Sequence, residues 1–406
     1  MAAVGNIIDY AREEQRSFEE LPFNEVDALI LAQLAYEDIP RLVPALDDER
    51  NMYGTFRGRI RHFPMDRHNL RQSAKALLRA PFSAITLKQM DEVLHGGADS
   101  ACQHQVHAVN FTDPAIMHSF VRTVAANPRF SGLHVGAFAE RFDTDEQTQT
   151  AALTFLLPDG TLVLSFRGTD DSLVGWKEDF NMAFQYPVPA QRMAADYICT
   201  VAKLWPGDMI LTGHSKGGNS AVYAAMNAPA KIRKRIAAVY SLDGPGFPEH
   251  VVTSEPYLST VSKVHKIVPD SSIIGMVLET PEPCVVVKAD CEGLMQHFAF
   301  AWQVDGDAFV RVDDIAPSSH EFNSSFNRWM TGLSREEREH AVDALFQVIH
   351  ASGATTFSGL IASMPLSLPS MIGAIVGLTP DERKHLMEAM RMLAAAATAR
   401  NRNITR

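Results

Sequence analysis

The sequence predicts an α/β protein whose mostly parallel sheet carries helices on both faces. Short apolar segments alternate with amphipathic segments between residues 133 and 288, and turns rich in glycine, proline and aspartate separate them. Strands that alternate with helices favour a parallel sheet, because each parallel connection crosses back over one face. We therefore expect an α/β core at 121–317, a mainly helical N-terminal or cap region at 1–120 and a helical C-terminal region at 318–406.

The individual elements follow from periodicity and turn residues. Apolar residues at helical spacing predict helices at 24–35 and 117–126, and Pro158-Asp159-Gly160 predicts a hairpin turn between two strands. The predicted core strands are 135–141, 150–157, 162–167, 209–212, 236–242, 261–268 and 284–288, and the predicted core helices are 176–184, 190–205 and 216–227.

Charge and cysteine content argue against several classes of protein. The 406 residues carry a formal net charge of −11, without the long basic stripe that a nucleic-acid binder normally has. The four cysteines form no C-x-x-C pair, so neither a zinc site nor a disulfide framework is suggested. The N-terminus lacks a basic segment followed by an apolar run. We therefore expect a cytoplasmic protein.

A long uncharged segment runs from Ala344 to Pro380, and its residues 357–378 are largely apolar. A membrane-spanning helix needs about 20 apolar residues, but Pro365 and Pro369 interrupt this segment. We expect two short helices that meet at the Pro-Leu-Ser-Leu-Pro turn and pack against the core. Insertion into a membrane and an apolar flap over the active site are the alternatives, and contact with a membrane surface has no other support in the sequence.

The segment Gly213-His214-Ser215-Lys216-Gly217 predicts a serine nucleophile. It lies between a predicted apolar strand and a predicted helix of small residues, which is the strand-turn-helix context of the α/β-hydrolase fold. Glycines two residues either side of Ser215 remove side chains that would clash in so sharp a turn. We expect Ser215 Oγ to project over the C-terminal edge of the sheet and the Lys216 N–H to point at a bound carbonyl oxygen. A glycine-rich turn with an incidental serine is the alternative.

A second oxyanion donor is expected in a loop that follows an earlier strand. Ser165-Phe166-Arg167-Gly168-Thr169-Asp170 lies at the end of such a predicted strand. This segment resembles the Phe-Arg-Gly-Thr or Phe-Arg-Gly-Ser motif of the class-3 lipases, and the resemblance implies that Thr169 supplies the second donor. A purely structural turn is the alternative.

The general base is expected to be a histidine after Ser215, because the chain order in this fold is Ser, Asp, His. Loop positions leave His297 and His320, and His297 is preferred because it follows the last predicted core strand. Asp270 and Asp243 each follow an earlier predicted strand, and either could orient the imidazole. The class-3 lipase pattern places the acid after the later strand, which favours Asp270. Asp243 is the alternative acid, unless it only forms a turn.

Further segments extend the resemblance over most of residues 20–310. They are Phe23–Leu29, Phe166–Phe180, Gly213–Asn219, Asp243–Phe247, Ser271–Met276 and Gln296-His297. In their residues and in their order along the chain they resemble the bacterial Mbeg-like hydrolases. The resemblance implies a lipase-like α/β hydrolase but does not identify a substrate. In that family Gln often stands at the position of Asp270, which keeps Asp243 as the alternative acid. Trp176, Glu178 and Asp179 share the resemblance, and lid or helix packing is the favoured interpretation for them.

Together these residues predict hydrolysis of acyl esters through an acyl-enzyme, with no metal or organic cofactor. Ile273, Ile274 and Met276, with the uncharged segment, suggest a small-molecule or lipid substrate with a hydrophobic acyl group. One alternative is an acyltransferase that uses the same acyl-enzyme. Another is a catalytically silent fold that binds a lipid or a partner protein. The sequence leaves the oligomeric state open.

Overall fold

A mixed nine-stranded sheet forms the centre of the molecule. The computed structural model describes residues 4–37, 39–62, 80–95 and 112–398, so Cys102 and parts of the predicted N-terminal region lie outside the described residues. The strands are β1 Ile85–Thr86, β2 His134–Asp143, β3 Thr148–Leu156, β4 Leu162–Phe166, β5 Met209–His214, β6 Ile236–Leu242, β7 Val264–Pro269, β8 Cys284–Val287, β9 Val304–Asp305, β10 Ala308–Phe309 and β11 Arg311–Val312.

The strand order of the large sheet is β1-β2-β3-β4-β5-β6-β7-β8-β11, while β9 and β10 form a separate hairpin. Strands β4 to β8 run parallel. Strands β1 to β3 and β11 are antiparallel to their neighbours. The Pro158-Asp159-Gly160 turn explains part of this mixture, because so short a connection can join only antiparallel strands. The predicted α/β class, with a large and partly parallel sheet flanked by helices, is confirmed.

Helices cover both faces of the sheet and continue beyond it towards the C-terminus. They are α1 Ile7–Glu13, α2 Glu25–Leu34, α3 Leu46–Tyr53, α4 Phe56–Arg61, α5 Leu87–His95, α6 Pro114–Ala126, α7 Pro128–Ser131, α8 Leu173–Asn181, α9 Pro189–Leu204, α10 Lys216–Asn227, α11 Ala230–Arg233, α12 Glu249–Val252, α13 Glu255–Leu258, α14 Pro317–Thr331, α15 Arg335–His350, α16 Phe357–Gly377 and α17 Pro380–Thr398. Short 3-10 helices lie at Val261–Lys263, Ile274–Met276, Gly293–His297 and Ala299–Ala301.

The two faces of the sheet bury separate hydrophobic clusters. In β4, Val163 belongs to one cluster, and Leu162 and Leu164 belong to the other. This alternation follows from the two-residue period of a strand. The first cluster takes in α1, α2 and α6, and the second takes in α9 and α10. Both faces of the central strands are therefore buried, which explains why those strands are continuously apolar in sequence.

Helix α2 ties the N-terminal region to the sheet. The Asn24 side chain accepts hydrogen bonds from the N–H groups of Val26 and Asp27, and the Asp27 carboxylate accepts from the Asn24 N–H, which is a capping box. Every residue from Val26 to Leu34 is buried, and α2 packs against β5. Because α2 is fixed in this way, the residues that follow it lie beside the end of β5.

The uncharged C-terminal segment is more exposed than the sequence predicts. Helix α16 has two arms, Phe357–Ser363 and Leu366–Gly377, bent by 104°, and Pro365 between them has no N–H to continue the helical hydrogen bonding. Large apolar side chains of both arms are exposed, including Ile361 (56%) and Leu366 (89%). The prediction of two short helices that meet within this segment is therefore confirmed, but the prediction that they are buried is wrong, since hydropathy alone does not reveal what covers a segment. Within the described ranges no single helix is long and apolar enough to cross a membrane, although the two arms together pass that test by length and composition.

Candidate active site

Ser215 lies in a sharp turn between β5 and α10. Its backbone angles are φ 59° and ψ −133°, a region that non-glycine residues rarely occupy and that indicates stored strain. The Ser215 N–H donates a 2.9 Å hydrogen bond to the Leu242 carbonyl of the next strand. The turn therefore holds Ser215 at the carboxyl end of the parallel strands, where the sequence places it.

Two glycines allow the turn to close. A Cβ atom at Gly213 would overlap the backbone of Gly217, and one at Gly217 would overlap the Phe166 carbonyl oxygen. A Cβ atom at Gly168 would lie 3.1 Å from the Ser215 Cβ. The loop that follows β4 thus packs directly against the turn at Ser215, and a side chain at Gly168 would not fit there.

His297 pairs with Asp243. The two are joined by a 2.6 Å hydrogen bond between His297 Nδ1 and Asp243 Oδ2. The other carboxylate oxygen of Asp243 accepts from the Ser272 hydroxyl at 2.5 Å and from the Gly275 N–H at 3.1 Å. Burial acts to raise the pKa of Asp243, but the hydrogen bonds from His297 and Ser272 outweigh it and hold that pKa below its ordinary value. The carboxylate is therefore ionised and can only accept.

This pairing corrects the preference for Asp270. Asp270 also follows its strand, but its carboxylate accepts from the neighbouring Ser271 hydroxyl at 3.3 Å, and its backbone N–H bonds to Val287 across the sheet. Asp243 has φ 49°, and this left-handed conformation, together with Ser272 and Gly275, directs its carboxylate at His297. His320 is not part of the arrangement: it lies on α14, with its side chain 53% exposed, beside Asp314.

His214, which precedes Ser215, contacts the segment that carries His297. Its Nε2 donates to the His297 carbonyl oxygen at 2.8 Å, and the two imidazole rings lie 4.6 Å apart. Burial, reinforced by the neighbouring His297, lowers the pKa of His214 to about 3. His214 is therefore a neutral imidazole, and its hydrogen bond holds the backbone at His297 in place.

Tyr36, just beyond α2, joins the same group of residues. Its hydroxyl lies 3.3 Å from the His214 carbonyl oxygen and 3.5 Å from His214 Nδ1, and it packs against Gly168, where a Cβ atom would overlap it. Tyr36 thus contacts both the turn at Ser215 and the loop after β4. Nothing in the local sequence marks Tyr36 as part of the site, because its contribution depends on how α2 packs.

Thr169 lies in the loop after β4, and its hydroxyl donates a 2.5 Å hydrogen bond to Asp179 Oδ2 on α8. Desolvation raises the pKa of Asp179 to about 6, although Lys216 and the Thr169 hydroxyl act in the opposite direction. Lys216 is buried beside Glu178, with 2.9 Å between Nζ and Oε2. The interpretation of Glu178 and Asp179 as lid or helix packing therefore omits charged contacts next to Ser215. A lysine directly after Ser215 and an acidic pair in α8 are the sequence signals for these contacts.

Within the described part of the chain, no group of three or more His, Cys, Asp or Glu side chains is arranged to hold a metal ion. The hydrogen-bonded side chains of the site include those of Asp243, His297, His214 and Thr169.

Comparison with known proteins identifies a family for the part of the chain that carries these residues. The Mbeg1-like family model matches residues 124–347, more than half of the chain, and this range contains Thr169, Ser215, Asp243 and His297. No curated protein matches significantly, and neither does any solved structure. By the extent of the family match, the chain belongs to the Mbeg1-like family.

Proposed function

We propose that this protein is a serine hydrolase of the α/β-hydrolase fold, related to the class-3 lipases, that cleaves acyl esters. One observation carries the proposal: Ser215 occupies a strained strand-to-helix turn at the same end of the sheet as the Asp243–His297 pair. The chain order Ser215, Asp243, His297 is the order of nucleophile, acid and base in that fold. A turn that only reversed the chain would not require a strained serine.

In the proposed reaction, Asp243 fixes the tautomer of His297. The ionised carboxylate accepts a hydrogen bond from the Nδ1–H group, so the proton stays on Nδ1 and Nε2 is the basic nitrogen. Nε2 removes the Ser215 proton while Oγ attacks the ester carbonyl, and it then gives that proton to the leaving alcohol. Water attacks the acyl-enzyme by the same route, releasing the acid and restoring Ser215.

The N–H of Lys216, at the first position of α10, and Thr169 are the proposed oxyanion donors. The first N–H groups of a helix have no partner within it, and the field there favours negative charge. Such a donor contributes roughly 3 kcal/mol to transition-state stabilisation. Because the Thr169 hydroxyl already donates its one proton to Asp179, the proposed donor of Thr169 is its backbone N–H.

An apolar acyl group suits the surroundings of the site. Met295, two residues before His297, is 57% exposed, and Ile274 and Met276 are partly exposed next to the segment that binds Asp243. Such side chains favour a small-molecule or lipid ester with a hydrocarbon chain.

A fluorophosphonate probe tests the proposal directly. We expect wild type to be labelled and to hydrolyse p-nitrophenyl esters, with longer acyl chains preferred to acetate, and Ser215→Ala to lose both properties. Ser220→Ala is the matched control, because Ser220 is buried in α10 and its hydroxyl has no hydrogen-bond partner in the described structure.

If folded wild type is not labelled by the probe, the proposal is contradicted. The remaining hypothesis is then a catalytically silent fold that binds a lipid or a partner protein. Product analysis with an added alcohol distinguishes hydrolysis from acyl transfer, since a transferase gives a new ester in place of the free acid.

A further inference from the structure

The side chain of Lys216 is fully enclosed directly behind the nucleophile turn. Its Nζ donates to the Gln149 carbonyl oxygen at 2.8 Å and to Glu178 Oε2 at 2.9 Å, and only 1% of the side chain is exposed. Burial lowers the pKa of Lys216, but Glu178 and Asp179 outweigh it and hold that pKa above its ordinary value. The ammonium therefore remains charged in the interior.

Glu178 is held as firmly as Lys216. One of its carboxylate oxygens accepts from the Thr148 hydroxyl and the Ala190 N–H, both at 2.8 Å, and the other accepts from the Gln149 N–H at 3.1 Å and from Lys216. These donors come from β3, from α9 and from α10. Since Glu178 itself belongs to α8, the ion pair joins three helices to the sheet at one point.

The same ammonium reaches the loop after β4. Lys216 Nζ lies 3.8 Å from Asp179 Oδ1, and the other oxygen of Asp179 accepts from the Thr169 hydroxyl. Asp170 in that loop donates its N–H to the Gln149 side chain at 3.4 Å. One charged group thus connects the backbone that follows Ser215 with the residue proposed as the second oxyanion donor.

We infer that the Lys216–Glu178 ion pair is a positioning device that sets the separation of the two oxyanion donors, Lys216 N–H and Thr169. This inference rests on the proposed function. A buried ion pair is a weak source of stability, because desolvation offsets most of its attraction. Its hydrogen bonds do, however, fix direction as well as distance. Displacement of a donor by about 1 Å is sufficient to slow an enzyme about 100-fold.

The test compares Lys216→Met and Glu178→Gln with wild type, with each rate divided by the number of serines that a fluorophosphonate titrates to completion. This division removes any unfolded fraction. We expect kcat per titrated site to fall about 10- to 100-fold with KM within about twofold. We expect the affinity for a trifluoromethyl ketone of the substrate, which forms a tetrahedral oxyanion on serine, to fall by the same factor. Lys177→Met is the matched control, because Lys177 precedes Glu178 on α8 and pairs with Asp343.

A lysine variant that keeps its kcat per titrated site within twofold would overturn the inference, and so would one that loses kcat but keeps its affinity for the ketone. Glu178→Gln preserves the size of the buried side chain and provides the same readout if Lys216→Met does not fold. An unlabelled wild type would instead overturn the proposed function, and this inference with it.

Discussion

The hydrogen bond between Asp243 and His297 determines which imidazole nitrogen is basic. Asp243→Asn keeps the shape of the side chain, but an amide nitrogen facing Nδ1 would favour the opposite tautomer and direct a proton at Ser215. We expect kcat to fall on the order of 1,000- to 10,000-fold, as for a triad in the wrong tautomer. Steady-state kinetics per titrated site measures the change.

Asp270→Asn is the control for this substitution. Its carboxylate bonds to Ser271 and not to His297, so we expect kcat within about twofold of wild type. Loss of activity in Asp270→Asn together with retention in Asp243→Asn would restore the assignment that the sequence alone favoured.

His214 couples the stability of the site to pH. The pKa of His214 lies near 3 in the folded protein and near 6.5 in an unfolded chain. The unfolded state therefore binds more protons between these values, and stability falls as the pH falls through this range. His214 alone contributes a loss of about 2 kcal/mol between pH 7 and pH 5.

We expect His214→Gln to be less stable than wild type at pH 8 but to lose less stability between pH 7 and pH 5. Urea unfolding at each pH measures the difference. His320→Gln should follow the wild-type slope, because His320 is exposed. Equal slopes for His214→Gln and wild type would mean that His214 is not buried as a neutral imidazole.

At the scale of elements, the periodicity of the sequence predicts the longer and more regular helices and strands. Helix α10 and strand β6 begin and end where the sequence indicated, because each lies between clear turn residues. The strands β1 and β11 have two residues each and are too short to show a strand periodicity in the sequence. They form because a neighbouring strand offers unpaired backbone groups, which is a tertiary effect.

The candidate site also has features that the sequence predicts and features that depend on tertiary packing. A motif with a local backbone reason, such as the turn around Ser215, is visible in sequence, since the glycines on either side are required by contact with neighbouring backbone. The choice between Asp243 and Asp270 is not, because both follow parallel strands and the outcome depends on a φ of 49° at Asp243. Tyr36 and Glu178 join the site only through packing between distant segments.

At the scale of the molecule, the site draws on more of the chain than the matched range. Tyr36 lies before residue 124, where the family match begins. The segment after α15 is attached close to the proposed oxyanion loop: the Leu173 N–H bonds to the Thr355 carbonyl at 3.0 Å, and Trp176 stacks on Phe357 with ring centroids 5.0 Å apart. The N- and C-terminal regions therefore both support the residues around Ser215.

The C-terminal helices bury a small core of their own while exposing apolar side chains elsewhere, and two substitutions separate these roles. Leu386 is fully buried in α17 among Ala344, Val348 and Leu378, so Leu386→Ala should cost about 2–5 kcal/mol of unfolding free energy. Ile372 on α16 is 55% exposed, so Ile372→Ala should change it by less than about 0.5 kcal/mol. Urea unfolding of the full chain at low protein concentration measures both. A cost for Ile372→Ala close to that for Leu386→Ala would show that the exposed arm of α16 is covered in solution, because only removal from water gives an isoleucine such a contribution.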